Sequence, residues 1–231
     1  MRAVQVAGWG IDTVKGIGYA ERAKKDCTLL IFSCRDVTEL THRALMTPDG
    51  DQTVVLTSQA AARGLSTYYV DLQKANIDLD KNWRHANLTE SAPFQELFPL
   101  LIGAASGQPL PAYVSTILPT APPEKRLRLR VLSPATLHAY DAAGRHTGPA
   151  KNPDPHSDLL YKEEEIPNSY YEEFGEGKYL GLPASGSVRI EIQGLATGTF
   201  TYEVMSVDGD RTETRLYKDI PVTASTTARM D

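Results

Sequence analysis

The sequence predicts a two-part fold, an α/β segment followed by an all-β antiparallel sandwich, and three observations predict it. Strand-like and helix-like patterns alternate through the first hundred residues, which is the grammar of an α/β sheet. Five prolines then crowd residues 107 to 124, at Pro109, Pro111, Pro119, Pro122 and Pro123. Beyond residue 125 nearly every element alternates apolar and polar residues with period two and is punctuated by Gly and Asp turns, the pattern of antiparallel strands. The expected divisions are therefore 1–106, a proline-rich linker or strap at 107–124, and 125–231.

Taken in order, "RAVQVAGWG" is a short β-branched run closing on glycines. Cys27 and Cys34 enclose "TLLIFS". Seven residues apart, they face opposite sides of one strand, or stand about 10 Å apart along a helix, whereas a disulfide needs Cα atoms within roughly 7 Å. They can bridge only if the segment turns back on itself; otherwise they are two small core residues. "TSQAAARG" at 57–64 reads as a helix with Ser58 as N-cap and Gly64 as its stop. "LSTYYVDLQ" at 65–73 reads as a strand. From Ser91 a second helix starts, with Pro93 in its first turn, an apolar face of Phe94, Leu97, Phe98 and Leu101, and Pro99 shortening or kinking it.

In the second part, "KRLRLR" at 125–130 alternates with Leu127, Leu129 and Val131 and reads as a half-buried strand with a solvated basic face. The triple acid Glu163 to Glu165 reads as a solvated loop. "SVRIEIQG" places Val188, Ile190 and Ile192 on one face, and "GTFTYEVMSV" does the same with Phe200, Tyr202 and Val204. "VDGDRTET" is then a hairpin turn, with Asp208 and Asp210 as turn residues rather than calcium ligands, since further oxygen ligands are missing nearby. Tyr161, Tyr170, Tyr171, Phe174 and Tyr179 form an aromatic cluster close to acids. Core and hairpin roles are expected for most of them, with sugar stacking or cation binding as the alternative.

Composition narrows the function classes. The chain has 231 residues, 41% of them hydrophobic, and a formal net charge of −5 with pI near 5.6. Its overall field opposes nucleic acid and anionic membrane surfaces. No run approaches the roughly 20 apolar residues that cross a bilayer, and "MRAVQVAGWG" lacks the apolar core and cleavage site of a signal peptide. Neither the number nor the spacing of the cysteines suggests a zinc site, and no cofactor motif stands out.

The chemistry-bearing pattern lies in the first part. "MTPDGDQTVV" at 46–55 follows the first strand and precedes a helix, and one strand further on comes "NWRHANLTES" with His85. An acid after one late strand and a histidine after the next, both at the carboxyl edge of a parallel sheet, is the order in which a serine-hydrolase triad places its acid and base. Asp51 and His85 are the candidates. His42, His138, His146 and His156 lack such a paired context, so solvated or structural roles are expected. Ser58 and Ser91 are better helix caps than nucleophiles.

Three ordered segments resemble the lecithin:cholesterol acyltransferase-like lipases and related bacterial α/β-hydrolase lipases. "VQVAGWGIDTVKGI" at 4–17 looks like a late sheet strand opening into a Gly-rich, Thr-containing loop. "TPDGDQTVVLTS" at 47–58 looks like the family's Gly-Asp-x-Thr-Val acid loop, and "RHANLTESAPFQELFPLLI" at 84–102 looks like its His loop and closing helix. The resemblance implies a partial, C-terminal α/β-hydrolase sheet with helices. In it Asp51 is the triad acid, His85 the general base, and Asp49 the weaker candidate because the family acid directly follows the Gly. The 231 residues contain no Gly-x-Ser-x-Gly, so the nucleophile is missing and the chain alone is expected to be inactive.

The second part resembles a β-sandwich module appended to secreted bacterial hydrolases and surface proteins, which implies an extracytoplasmic parent protein. The expectation is a lipase- or esterase-like region whose parent acts on an acyl ester or lipid substrate by hydrolysis or acyl transfer. The first strand, lacking a neighbour, is expected to leave an unpaired apolar edge that a partner chain or self-association would cover. The rival reading is a non-catalytic module that binds a surface, glycan or protein and keeps only a hydrolase remnant.

Overall fold

The structure, a computed structural model, describes residues 3–28, 33–104, 107–120, 125–157, 159–184, 186–209 and 211–230. The β-branched run forms β1 (Val4–Trp9). Gly10, at φ +94°, turns the chain into a long antiparallel ribbon of β2 (Thr13–Thr28) and β3 (Ser33–Thr47). Here the structure departs from the Gly-rich loop expected around residues 10–17. Much of the ribbon is exposed, and from Val14 to Tyr19 the half-buried positions include Gly16 and Gly18 while Ile17 and Tyr19 (68%) face out, so apolar residues mark no buried face for sequence reading to detect. The ribbon also resolves the cysteine question. Its register sets Cys27 opposite Cys34, and Cys34 is disulfide-bonded, so the segment does turn back on itself.

The expected helix at 57–64 shrinks to α1 (Leu56–Gln59), which Val55 precedes without a side-chain cap. Ser58 is therefore an exposed helical residue and not an N-cap. The next strand, β4 (Ser66–Asp71), stops two residues short of the expected Gln73 because Asp71 accepts a hydrogen bond from Lys74 N–H (2.9 Å) and starts α2 (Leu72–Leu79), a helix the sequence reading missed. A 3-10 turn (His85–Glu90) leads into α3 (Ala92–Leu101), which begins as expected: Ser91 caps it and Pro93 lies in its first turn. Leu97 is fully buried on this helix, whereas Phe98 is half exposed.

β1 and β4 pair in parallel, from Val4 opposite Ser66 to Trp9 opposite Asp71. The proline-rich strap is more than a linker, since β5 (Val114–Ser115) adds antiparallel to β4 and completes a three-stranded sheet in the order β1-β4-β5. Among the described residues, the second part is ten strands in two antiparallel five-stranded sheets. They are β6 (Lys125–Leu132), β7 (Ala135–Asp141), β8 (His146–Ala150), β9 (Tyr161–Glu164), β10 (Tyr170–Phe174), β11 (Gly177–Pro183), β12 (Val188–Gly194), β13 (Gly198–Asp208), β14 (Arg211–Val222) and β15 (Thr227–Met230). The orders are β10-β11-β6-β13-β14 and β15-β12-β7-β8-β9. Leu129, Val131, Leu137, Leu180, Ile190, Ile192, Phe200 and Tyr202 share the core between them, so the period-two faces point as expected.

Gly209, at φ +58°, turns the hairpin that joins β13 to β14, with Asp208 opposite Arg211. Asp208 is the expected turn residue, while Asp210 lies outside the described residues. Tyr170, Tyr171 and Tyr179 are buried, which gives most of the aromatic cluster the expected core role.

Two charged stretches correct the sequence reading. The arginines of β6 are not solvated. Arg128 grips Asp12 with two hydrogen bonds (2.9 and 2.7 Å), and Arg126 donates to Gly10 O (2.5 Å) with its other nitrogen 3.4 Å from Asp12. Asp12 is 1% exposed. Burial opposes the charge of Arg128, but the Asp12 hydrogen bonds and charge outweigh it and raise its pKa. Nor is Glu163 to Glu165 a solvated loop. Glu163 Oε2 lies 2.7 Å from His146 Nδ1, His146 Nε2 lies 3.0 Å from His138 Nδ1, and Glu164 is buried. His138 and His146 are thus a bonded pair; burial, then the neighbouring His146, pushes the His138 pKa down.

Removing the Asp12 carboxylate would take from Arg128 the acceptor of both its hydrogen bonds at the junction of the two parts. Breaking a buried pair in this way costs about 3–5 kcal/mol. Asp12→Ala is expected to lower the urea unfolding free energy by about that much; a change under about 0.5 kcal/mol, the range of ordinary surface substitutions, would show that the pair does not hold the fold.

Candidate functional site

The carboxyl end of β1 is stitched to the acid loop. Ile11 N–H donates to Gly50 O (3.0 Å), and Ile11 and Asp51 form a parallel bridge. Gly50 must be glycine: a Cβ there would run into Thr13 Oγ1 and come within 2.7 Å of Val54 O. The buried Thr13 hydroxyl donates to Ile11 O (2.9 Å) and accepts from Gln52 N–H (2.9 Å), so the Thr of the first loop locks the Asp-Gly-Asp turn in place.

Within that turn, Asp51 Oδ1 accepts from Thr53 N–H (3.2 Å) and Val54 N–H (2.8 Å). This uses the residues of Asp-x-Thr-Val for local side-chain-to-backbone bonding and leaves Oδ2 for one further partner. That partner is His85, whose Nδ1 lies 2.8 Å from Oδ2. A backbone bond from His85 N–H to Asp51 O (2.8 Å) holds the two loops together. The side chain of Asp51 is 1% exposed and that of His85 is 49% exposed. A carboxylate can only accept, so Nδ1 carries the proton and the Nε2 lone pair is left facing outward. Among the described residues no hydrogen bond reaches Nε2.

Three groups that sequence reasoning missed support this pair, half-buried Gln52 and buried Glu164 and Asn76. Gln52 stands at φ +81°, a left-handed conformation that costs a non-glycine residue about 1–3 kcal/mol. It is held at its backbone by Thr13 and at its side chain by Glu164, whose two carboxylate oxygens are each 3.1 Å from Gln52 Nε2. Glu164 also pairs with Arg84, the residue before His85, and takes Tyr171 N–H (2.8 Å) and Lys162 (3.2 Å). One carboxylate from β9 therefore binds the chain neighbours of both Asp51 and His85. Beside it, buried Asn76 of α2 bonds Trp83 N–H (2.7 Å), Trp83 O (2.9 Å) and Asn168 (3.0 Å), fixing the segment just before His85.

The other sequence candidates lie elsewhere. Asp49 exchanges bonds with Thr47 and accepts from Leu56 N–H, a turn role away from His85. Ser91 is buried in its cap, with its hydroxyl donating to Leu88 O (2.7 Å). His42 stacks obliquely on Tyr19 in the ribbon. Among the described residues no group of three or more His, Cys, Asp or Glu is arranged to hold a metal ion.

The geometry fixes a tautomer that can be read directly. In ring-nitrogen NMR of the neutral imidazole, His85 is expected as the Nδ1–H form, and Asp51→Ala is expected to release it to a mixture of forms. Identical ring shifts in the two proteins would mean that the carboxylate does not orient the imidazole. No family model, curated protein or solved structure matches the chain, so the functional reading rests on this pair and its buried supports.

Proposed function

We propose that Asp51 and His85 are the acid and general base of a serine-hydrolase triad acting on carboxylic acyl esters, with the serine supplied by polypeptide outside these 231 residues. The observation that carries the reading is the buried Asp51 carboxylate 2.8 Å from Nδ1 of a half-exposed His85 whose Nε2 is unbonded among the described residues. In this role Nε2 takes the proton of an incoming serine hydroxyl as it attacks the ester carbonyl. Asp51 stabilises the resulting imidazolium, and His85 then returns the proton to the leaving alcohol. A second cycle with water, or with an acceptor alcohol, releases the acyl group. The likeness of 47–58 and 84–102 to the lecithin:cholesterol acyltransferase-like lipases supports esters as the substrate class.

The sheet supports the same reading. β1 is terminal in the order β1-β4-β5, and among the described residues its outer edge has no strand partner. A parallel strand added there would end beside Gly10 and Ile11, next to the Asp51 loop. That is where the carboxyl ends of parallel strands gather reactive groups.

A second reading, a binding module, is favoured by one observation. An apolar cleft of about 620 Å³ opens between the two sandwich sheets near β14 and β15, lined by Leu127, Ile190, Phe200, Val204 and Ile220 among others.

The two readings separate when the chain is produced together with the polypeptide encoded directly upstream of Met1. The hydrolase reading expects a Gly-x-Ser-x-Gly segment there, turnover of p-nitrophenyl butyrate, and a loss of about 10⁶-fold in kcat in His85→Ala, by analogy with removal of a triad histidine. Absence of that segment, or turnover unchanged by His85→Ala, would leave the binding reading.

A further inference from the structure

A second cavity, of about 280 Å³, lies between the ribbon strand β3 and the face of β6, β11 and β13 that looks away from the sandwich core. It shares no lining residue with the Asp51–His85 site. Four cations line it, Lys15, Arg43, Arg128 and Arg130, against one carboxylate, Glu203. Arg128 is already neutralised by Asp12, and Arg130 lies 3.6 Å from Glu203. Lys15 and Arg43 have no carboxylate partner among the described residues. Lys15 owes its place to a β-bulge. The register passes from Val14 opposite Met46 to Gly16 opposite Leu45, leaving Lys15 as the extra residue, and bulges re-aim a side chain in this way.

One more group points to a ligand. Among the described residues, Arg130 Nε is buried and has no hydrogen-bond acceptor, although the same guanidinium is held over the Tyr179 ring at 5.6 Å. Leaving a buried donor unsatisfied is costly. An oxyanion in the cavity would satisfy it and meet the uncompensated charge of Lys15 and Arg43 at the same time. Apart from Thr212 and the two tyrosines Tyr170 and Tyr179, the remaining wall is apolar, with Leu45, Met46 and Met205. Ligand pockets run from about 300 to 1,000 Å³, so this volume suits a head group and a few methylenes only.

We propose that this cavity binds a small amphipathic oxyanion, a carboxylate or phosphate group carried on a short apolar chain. The inference does not depend on the proposed hydrolase function. Calorimetric titration of the full chain at low salt with hexanoate, hexyl phosphate, hexanol and inorganic phosphate tests it. At least one hexyl anion is expected to bind ten-fold or more tightly than hexanol, and the tighter of the two identifies the head group. Lys15→Gln combined with Arg43→Gln changes two exposed side chains and is expected to weaken that anion at least ten-fold without shifting the urea midpoint. Arg130→Lys, which keeps the charge but removes Nε–H, is expected to weaken it several-fold. Hexanol binding as well as both hexyl anions, or the anions binding the double variant unchanged, would overturn the proposal. Inorganic phosphate binding as tightly as hexyl phosphate would remove its apolar half.

Discussion

Asp12 is a single carboxylate taken out of water at the point where the chain leaves its first strand, and two arginines of β6 close on it from the other part of the molecule. Burying one charge alone would be prohibitive, so the arrangement is stable only as a set: Asp12 is tolerable because of Arg126 and Arg128, and those arginines are tolerable because of Asp12 and Gly10 O. This constraint aligns the end of β1 with the sandwich. Everything that follows along the chain, from the ribbon foot to Thr13 and the Asp51 loop, starts from that fixed point.

A second set of buried polar contacts carries the alignment to the candidate site. Glu164 on β9 binds Gln52 and Arg84, and Asn168 binds Asn76 and the backbone of α2. Gln52 and Arg84 are the chain neighbours of Asp51 and His85, and Asn76 fixes Trp83, two residues before His85. The left-handed Gln52 is the local strain that this set supports, since neither Thr13 nor Glu164 alone holds both its backbone and its side chain. The sandwich is thus structurally part of the site: without it the acid loop keeps its Asx-type bonds but loses the clamp on both flanks. The cavity at the foot of the ribbon arises from the same junction, because β6 presents Arg126 and Arg128 to Asp12 and Arg130 to the cavity.

What the sequence revealed, and what it hid, divides along the range of the interactions. The Asp51 turn, the Ser91 cap, the Gly209 hairpin and the alternating strands are decided by neighbours within a few residues, and all were legible. The pairing of Asp51 with His85 was legible at long range only because its order and spacing match a known arrangement. Arg126 and Arg128 were misread because a charged face at period two looks the same whether it meets water or a carboxylate 116 residues away. Glu164 was misread for the same reason, its partner Gln52 lying 112 residues back. The ribbon was missed because its apolar residues Ile17, Tyr19 and Leu40 are exposed, so no hydrophobic face marks its strands. α2 was missed because its first residues, Leu72 and Gln73, continue the strand pattern, and only Asp71 as a cap marks the change.

If the buried contacts of Asp12 and Glu164 hold the site, the Asp51–His85 pair opens in the same cooperative unit as the sandwich core. Native-state hydrogen exchange addresses it amide by amide. Val54 N–H, which donates to Asp51 Oδ1, and His85 N–H, which donates to Asp51 O, are predicted to open with the same free energy as the β6 amides of Leu129 and Val131. If Val54 and His85 exchange freely while Leu129 and Val131 remain protected, the sandwich does not hold the site, and the account is contradicted.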